Sequence, residues 1–310
     1  MTALFDGLLC LMIAGVALAA VAGRGVFRAV VVFIVYGVFV AIGWLRLGAV
    51  DVAMAEAAIG AGLTGLLLLR AYAALPVAEA GRRASSPILP ALAGLGVAVA
   101  LGLAFLALPE GRGLAPMVAE RAAGAGAENP VTAVLLAFRA WDTLLESVVL
   151  LAALCGVLVL SRGGDWAAPP GLRQHARPDG VLASFGRILP PVGLIVGVYL
   201  VWAGTSRPGG AFQGGTVLAA VLLLAAMAGV VRMPGLGSRW LRAGLVIGPA
   251  VFLAAGLLGI VLSFVLPGAG FLVWPGDWAK TVILGIELAL TLSIALALAA
   301  LVAGPPEEAG

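Results

Sequence analysis

Four acidic side chains lie within long apolar stretches of the chain, where a bilayer would surround them. They are Glu56, Asp142, Glu146 and Glu287. A charge at the centre of a bilayer costs about 3 kcal/mol on insertion scales, so each such residue needs a partner or a function. A carboxylate in these surroundings can hold and release a proton or attract a cation. The residue types therefore indicate a proton or cation path.

The spacing of the charges also allows a purely structural interpretation. Arg139, Asp142 and Glu146 are related as i, i+3 and i+7, which places them on one face of a helix and lets Arg139 reach Asp142. Lys280 and Glu287 are seven residues apart, again on one face and about two turns from each other. Buried ion pairs often do no more than fix how helices pack. The spacing alone does not distinguish between charged residues that conduct ions and charged residues that only fix helix packing.

Asp51 lies five residues before Glu56, which is about 140° around a helix. The two side chains therefore point in different directions. We expect Asp51 to cap the N-terminus of its helix rather than to pair with Glu56.

A glycine-rich segment, 204–215, separates two of the apolar stretches near the C-terminus. Glycine allows left-handed backbone and close approach of a neighbour, and irregular backbone at membrane depth is tolerated only inside protein or along a cavity. The segment is either a tight turn or a re-entrant or interface element. Its candidate interface residues are Pro208, Gly209, Gly210, Phe212, Gly214 and Gly215.

The composition excludes a soluble globular protein. Of 310 residues, 63% are hydrophobic and 11% are charged, whereas an average soluble chain is about 25% charged. A balance of 18 basic to 15 acidic residues, without a basic stripe, argues against nucleic acid as a partner. Cys10 and Cys155 lie in apolar runs without the spacing of a zinc site or a disulfide. We therefore expect no catalytic residues, no metal and no cofactor.

Apolar runs long enough to cross a bilayer follow one another along the chain. They lie at about 3–22, 26–47, 50–75, 87–109, 131–161, 185–204, 212–232, 242–266 and 280–303. The predicted fold class is an all-α integral membrane protein with about nine transmembrane helices and no soluble domain. Eleven arginines fall in the odd-numbered loops, against four arginines and one lysine in the others. The excess predicts cytoplasmic odd loops, an N-terminus outside and a cytoplasmic C-terminus.

Three segments resemble known motifs, in the same order along the chain. The segment 51–63 resembles the "D-x-A-x-x-E-A-A-I-G-A-G-L" signature shared by the C-terminal part of the MrpA protein of Mrp-type cation/proton antiporters and the MbhD protein of membrane-bound hydrogenases. The segment 129–146 resembles the following piece of the same module, "D-F/Y-R-G-F-D-T-L-G-E". The segment 204–215 resembles the "P-G-G-G-F-x-G-G" loop of the MrpB protein.

The resemblance implies a role in ion movement for the residues that match. The chain departs from the motifs at Ala55, Ala137, Leu145 and Ala211. It retains Glu56, Arg139, Asp142 and Glu146, which are therefore candidates for the path. Glu287 and Lys280 match none of the motifs, and they are candidates for the path only because they are charged residues in an apolar run.

The resemblance further implies three regions and a set of partners. An MbhD-like three-helix region would cover 1–85, an MbhE-like two-helix region 86–165 and an MnhB/MrpB-like four-helix region 166–310. The chain would be a component of an antiporter complex in a prokaryotic cytoplasmic membrane. Its partners would be large subunits related to the proton-pumping subunits of complex I, small membrane subunits, lipid, protons and Na+ or another monovalent cation. The alternatives are the same module in a redox-driven pump and a purely structural assembly role.

Overall fold

The structure is a computed structural model that describes residues 2–23, 25–74, 88–108, 115–160, 180–276 and 278–304. Within these residues the chain is helical, and an isolated bridge between Gly270 and Val273 is the one β contact. Eight of the described helices are long and apolar enough to cross a membrane, and Ala211–Met227 is a shorter apolar helix. The prediction of an all-α, multi-pass membrane protein is confirmed.

The first half of the described chain contains seven helices. They are α1 (Thr2–Ala22), α2 (Val26–Arg46), α3 (Val50–Ala55, continued by the π-helical Glu56–Leu63 and by Thr64–Ala74), α4 (Ile88–Leu106), α5 (Ala115–Arg121), α6 (Pro130–Ala133, continued by the π-helical Val134–Phe138) and α7 (Ala140–Leu160). The second half contains α8 (Val181–Ala203), α9 (Ala211–Met227), α10 (Arg239–Leu262) and α11 (Trp278–Ala303).

The packing centres on α11. This helix contacts α7, α8, α9 and α10, and its inward face carries fully enclosed side chains such as Ile286, Leu290 and Ile294. Around the N-terminus, α2 packs against both α1 and α3, and the π-helical part of α3 reaches α9. The helices of the first and last predicted regions are therefore in direct contact.

Two predicted spans differ from the observed helices. The run 131–161 is not one helix, because the backbone breaks at Arg139, whose φ of −127° and ψ of 39° lie outside the helical region. The seventh span, predicted over 212–232, is helical over Ala211–Met227 and ends in a turn at Gly229, where φ is +74°. The hydrophobic pattern continues past both points, so composition alone does not mark them.

Candidate functional site

Three carboxylates from three helices line one cavity of about 220 Å³. They are Asp51 of α3, Glu146 of α7 and Glu287 of α11. Thr132, Thr143 and Gln213 also line it, and the remaining lining is apolar or glycine backbone. Acidic residues in membrane-spanning helices that face a cavity are typical of proton and ion pathways.

Glu287 is the most enclosed of the three carboxylates. Its side chain is 3% exposed, and Oε2 has no hydrogen-bond partner among the described residues. Oε1 faces the loop between α8 and α9, since a Cβ added at Gly204 or Gly210 would lie 3.2 Å from it. A buried polar atom without a partner is costly. The orphaned oxygen marks Glu287 as the residue in this chamber least explained by packing.

Asp51 is held in place by residues distant in the chain. Its Oδ1 accepts hydrogen bonds from the backbone N–H of Gly209 at 3.0 Å and from Nδ2 of Asn129 at 3.4 Å. Its backbone oxygen accepts a third from Nε2 of Gln213 at 3.2 Å. The predicted cap is wrong, because the N-cap position is Ala49 and none of the side chains that the structure describes caps α3. The carboxylate lies one residue inside the helix and turns towards the α8–α9 loop instead.

The α8–α9 loop, residues 204–210, is hydrogen-bonded to the segment at the start of α6. Thr205 O accepts hydrogen bonds from the backbone N–H groups of Glu128 and Asn129, at 2.8 and 3.1 Å. Gly204 O accepts one from the Thr132 hydroxyl at 2.6 Å. Arg207 O accepts one from Asn129 at 3.0 Å. Four backbone or side-chain donors from the α6 region thus hold the loop against the cavity.

The other candidate interface residues lie along this loop and the start of α9. Phe212 joins Gly209 and Gly210 in lining the cavity. Gly214 lies against Val201 of α8, and Gly215 lies against Ile294 of α11. Pro208 lies in the loop itself.

Arg139 and Asp142 form an ion pair next to the cavity rather than inside it. Nη2 of Arg139 lies 2.5 Å from Oδ2 of Asp142, and the two side chains are 70% and 49% exposed. The backbone N–H of Arg139 donates to Val134 O, and the Thr143 hydroxyl donates to Leu135 O at 2.7 Å. These bonds satisfy carbonyls that the break between α6 and α7 would leave free. The predicted continuous face from Arg139 to Glu146 is therefore wrong, although the Arg139–Asp142 contact forms.

Glu56 and Lys280 also lie outside the cavity lining. Glu56 is half-buried at the first residue of the π-helical segment, and its carboxylate lies directly over Gly60, where a Cβ would collide with Oε1. The lining from α3 is instead Asp51, Val52, Ala55 and Ile59. Lys280 Nζ lies 3.8 Å from Oε1 of Glu128, in an exposed pair.

Sequence reasoning missed three residues that organise the site. Asn129, Thr132 and Gln213 hold the loop or Asp51 in place. Asn129 and Thr132 fall within the 129–146 segment that resembles a family motif, and this resemblance could have identified them as candidates. Among the described residues, no three His, Cys, Asp or Glu side chains are grouped as a metal site.

Two family models match the chain. One is MbhD, a component of MBH, and covers residues 11–77. The other is a domain related to the MnhB component of the Na+/H+ antiporter and covers residues 181–304. No curated protein sequence matches the chain.

Two solved structures share the fold. A chain of the Mrp complex from Dietzia sp. DQ12-45-1b matches with a TM-score of 0.74 and 23% identity over 98% of this chain and 35% of that one. This chain thus spans about a third of the Mrp chain. A chain of the membrane-bound sulfane sulfur reductase, an archaeal respiratory membrane complex, matches with a TM-score of 0.50 and 23% identity, over 68% of this chain and 96% of that one. The protein therefore joins an MbhD domain and a domain related to the MnhB antiporter component in one polypeptide with the fold of a Mrp-complex chain.

Proposed function

We propose that the protein is a membrane component of a multi-subunit Na+ or other monovalent cation/H+ antiporter, and that the cavity of Asp51, Glu146 and Glu287 belongs to its proton or cation path. The observation that carries the proposal is this convergence of three carboxylates from three helices on one chamber. The two family matches and the likeness to the Mrp-complex chain support the antiporter assignment.

The position of the cavity supports a joint role for the regions of the chain. Asp51 belongs to the MbhD match, Glu287 and the α8–α9 loop belong to the MnhB match, and Glu146 comes from the stretch between them. With the region boundaries at 1–85, 86–165 and 166–310, all three regions contribute one carboxylate each. Neither matched domain has the whole set.

The chain does not act alone in this proposal. Its partners are the large complex I-like subunits and the small membrane subunits of the same complex. We place the complex in a prokaryotic cytoplasmic membrane because of the resemblance to Mrp-type complexes. The excess of arginine in the odd-numbered loops favours an N-terminus outside and a C-terminus in the cytoplasm. Glu56 and Asp142 lie on helices that form the cavity, and Arg139 lies just before one of them, but none of the three lines it; they would act as accessory charges.

A redox-driven complex is the second candidate. It is favoured by the match to a component of MBH and by the fold shared with an archaeal respiratory complex. The cavity would serve either complex, since it moves ions and not electrons. A purely structural role is the third candidate, and the orphaned Oε2 of Glu287 argues against it.

Isolation of the native complex separates the first two candidates. The chain should be purified from its own membranes in mild detergent, and the accompanying proteins should be identified by mass spectrometry. We expect large antiporter-like subunits and no iron–sulfur or nickel protein. Redox proteins in the same particle would assign the chain to an electron-driven pump, and a stable chain without companions would contradict both assignments.

A further inference from the structure

A second cavity, open to the surface, lies at the N-terminal end of α11. Its volume is about 640 Å³, and its lining includes Gly126, Glu128, Lys280 and Thr281. The backbone of Gly126, with φ of +75°, lies directly on α11, since an added Cβ would be 2.5 Å from that of Ala279. One wall is therefore fixed backbone and the other is the first turn of α11.

One hydrogen-bonded chain segment, residues 128–129, contacts both the outer cavity and a carboxylate of the inner cavity. Glu128 lines the outer cavity, and the next residue, Asn129, donates to the carboxylate of Asp51 in the inner one. The backbone N–H groups of both residues donate to Thr205 O in the α8–α9 loop. On the other side, Lys280 and Glu287 lie on the same face of α11, about 10 Å apart along its axis.

The Glu128–Lys280 pair is poorly suited to stabilise the fold. Its charged atoms are 3.8 Å apart, and the side chains are 76% and 62% exposed, respectively. Exposed pairs of this kind contribute little to stability. Each charge at the rim of a cavity does, however, raise or lower the local concentration of a small cation, and loss of one member of the pair leaves the other uncompensated.

We propose that the outer cavity is the aqueous entrance to the carboxylate cavity, with Glu128 and Lys280 controlling the cation concentration at its mouth. The proposal rests on the ion-path function proposed above. Glu128 attracts the cation and Lys280 repels it, so removal of either charge changes entry in opposite directions. A structural role for the pair would change both variants in the same direction.

The test uses membrane vesicles that contain the whole complex and measures Na+-driven proton movement with a pH-sensitive dye. Lys280→Gln should lower the half-saturating Na+ concentration and Glu128→Gln should raise it, each by about two- to fivefold, as expected for one unit charge a few ångströms away in water. Added choline chloride should shrink both shifts, because salt screens exposed charges.

Two results separate failure of the entrance from failure of the path. If Glu287→Gln abolishes exchange while the Lys280 and Glu128 variants shift together or not at all, the entrance is wrong and the path stands. If the Glu287→Gln variant exchanges ions like the wild type, the proposed ion path is wrong, and the proposed entrance to it is then wrong as well.

Chemical labelling tests the entrance without transport. In a chain with Cys10 and Cys155, its two cysteines, replaced by serine, Thr281→Cys should react with a membrane-impermeant cationic thiol reagent from one side of the membrane, and the reaction should inhibit exchange. Leu292→Cys, which is 49% exposed but in the interior of the α11 span, is the matched control and should stay unlabelled. An unreactive Thr281→Cys on both sides would overturn the proposal.

Discussion

At the scale of single residues, Asn129 connects more of the site than any of the carboxylates. Its Oδ1 accepts the backbone N–H of Val131 at 3.0 Å and so caps α6. Its Nδ2 donates to Asp51 and to the backbone oxygen of Arg207. One buried amide, 4% exposed, thereby positions a helix start, a loop and a cavity carboxylate.

Two substitutions at Asn129 separate its capping role from its donor role. Serine and aspartate both retain an oxygen that caps a helix well, but both lose the N–H donor, and aspartate adds a negative charge beside Asp51. We expect Asn129→Asp to lower the stability of the purified complex more than Asn129→Ser, with losses of about 1–3 kcal/mol for the missing donor. Thermal melting in detergent measures both variants. An aspartate variant that melts at or above the serine variant would contradict the hydrogen bond from this amide to the Asp51 carboxyl group.

The sequence alone identifies candidate residues by their chemical type and not by their contacts. Glu146 and Glu287 stood out because they are charges in apolar runs. Asp51 did not, because it lies at a helix start, where an acidic residue has an ordinary capping role. Its partners, Asn129 and Gly209, are 78 and 158 residues further along the chain. Nothing in local spacing links positions so far apart.

At the scale of the elements, the site is built where helices depart from regular α geometry. The π-helical part of α3 begins at Glu56, the π-helical part of α6 ends at the Arg139 break, and the α8–α9 loop carries left-handed glycine backbone at Gly210, with φ of +125°. π segments within helices frequently occur at functional sites. The sequence predicted the spans from their hydrophobicity. It did not predict where the helices depart from α geometry, because an apolar run has the same composition whether its backbone hydrogen bonds span four residues or five.

The close approach within the α8–α9 loop gives a test of that element. The Leu200 carbonyl accepts the N–H of Gly210 at 2.9 Å, and a Cβ at Gly209 would collide with the same oxygen. Gly209→Ala should therefore displace the loop and lower both the yield and the melting temperature of the complex. Gly285→Ala is the matched control, since no atom of the described part of the chain lies within 4 Å of a Cβ added there, and alanine is about 1 kcal/mol more favourable than glycine in a helix interior. Equal behaviour of the two variants would show that the loop tolerates a side chain and is not fixed as described.

At the scale of the whole molecule, the cavity exists only because distant parts of the chain pack together. The π segment of α3 contacts α9, and α7 contacts both α10 and α11. The apolar spans and their approximate bounds followed from composition, because a bilayer fixes how long and how apolar a span must be. Which spans face one another did not follow, since apolar surface is equally compatible with lipid and with another helix.

The most direct test of the account measures ion exchange after each of the two cavity glutamates is replaced by glutamine. Membrane vesicles with the whole complex should carry Glu146→Gln or Glu287→Gln, changes that keep the shape of the side chain and remove its ability to bind and release a proton. Asp6→Asn is the matched control, because Asp6 forms an exposed pair with Arg46 away from the cavity. We expect both glutamine variants to assemble in normal amounts and to lose Na+-driven proton movement, while the control keeps it. A glutamine variant that assembles poorly but exchanges at the wild-type rate per complex would contradict the ion path and leave the carboxylates a structural role.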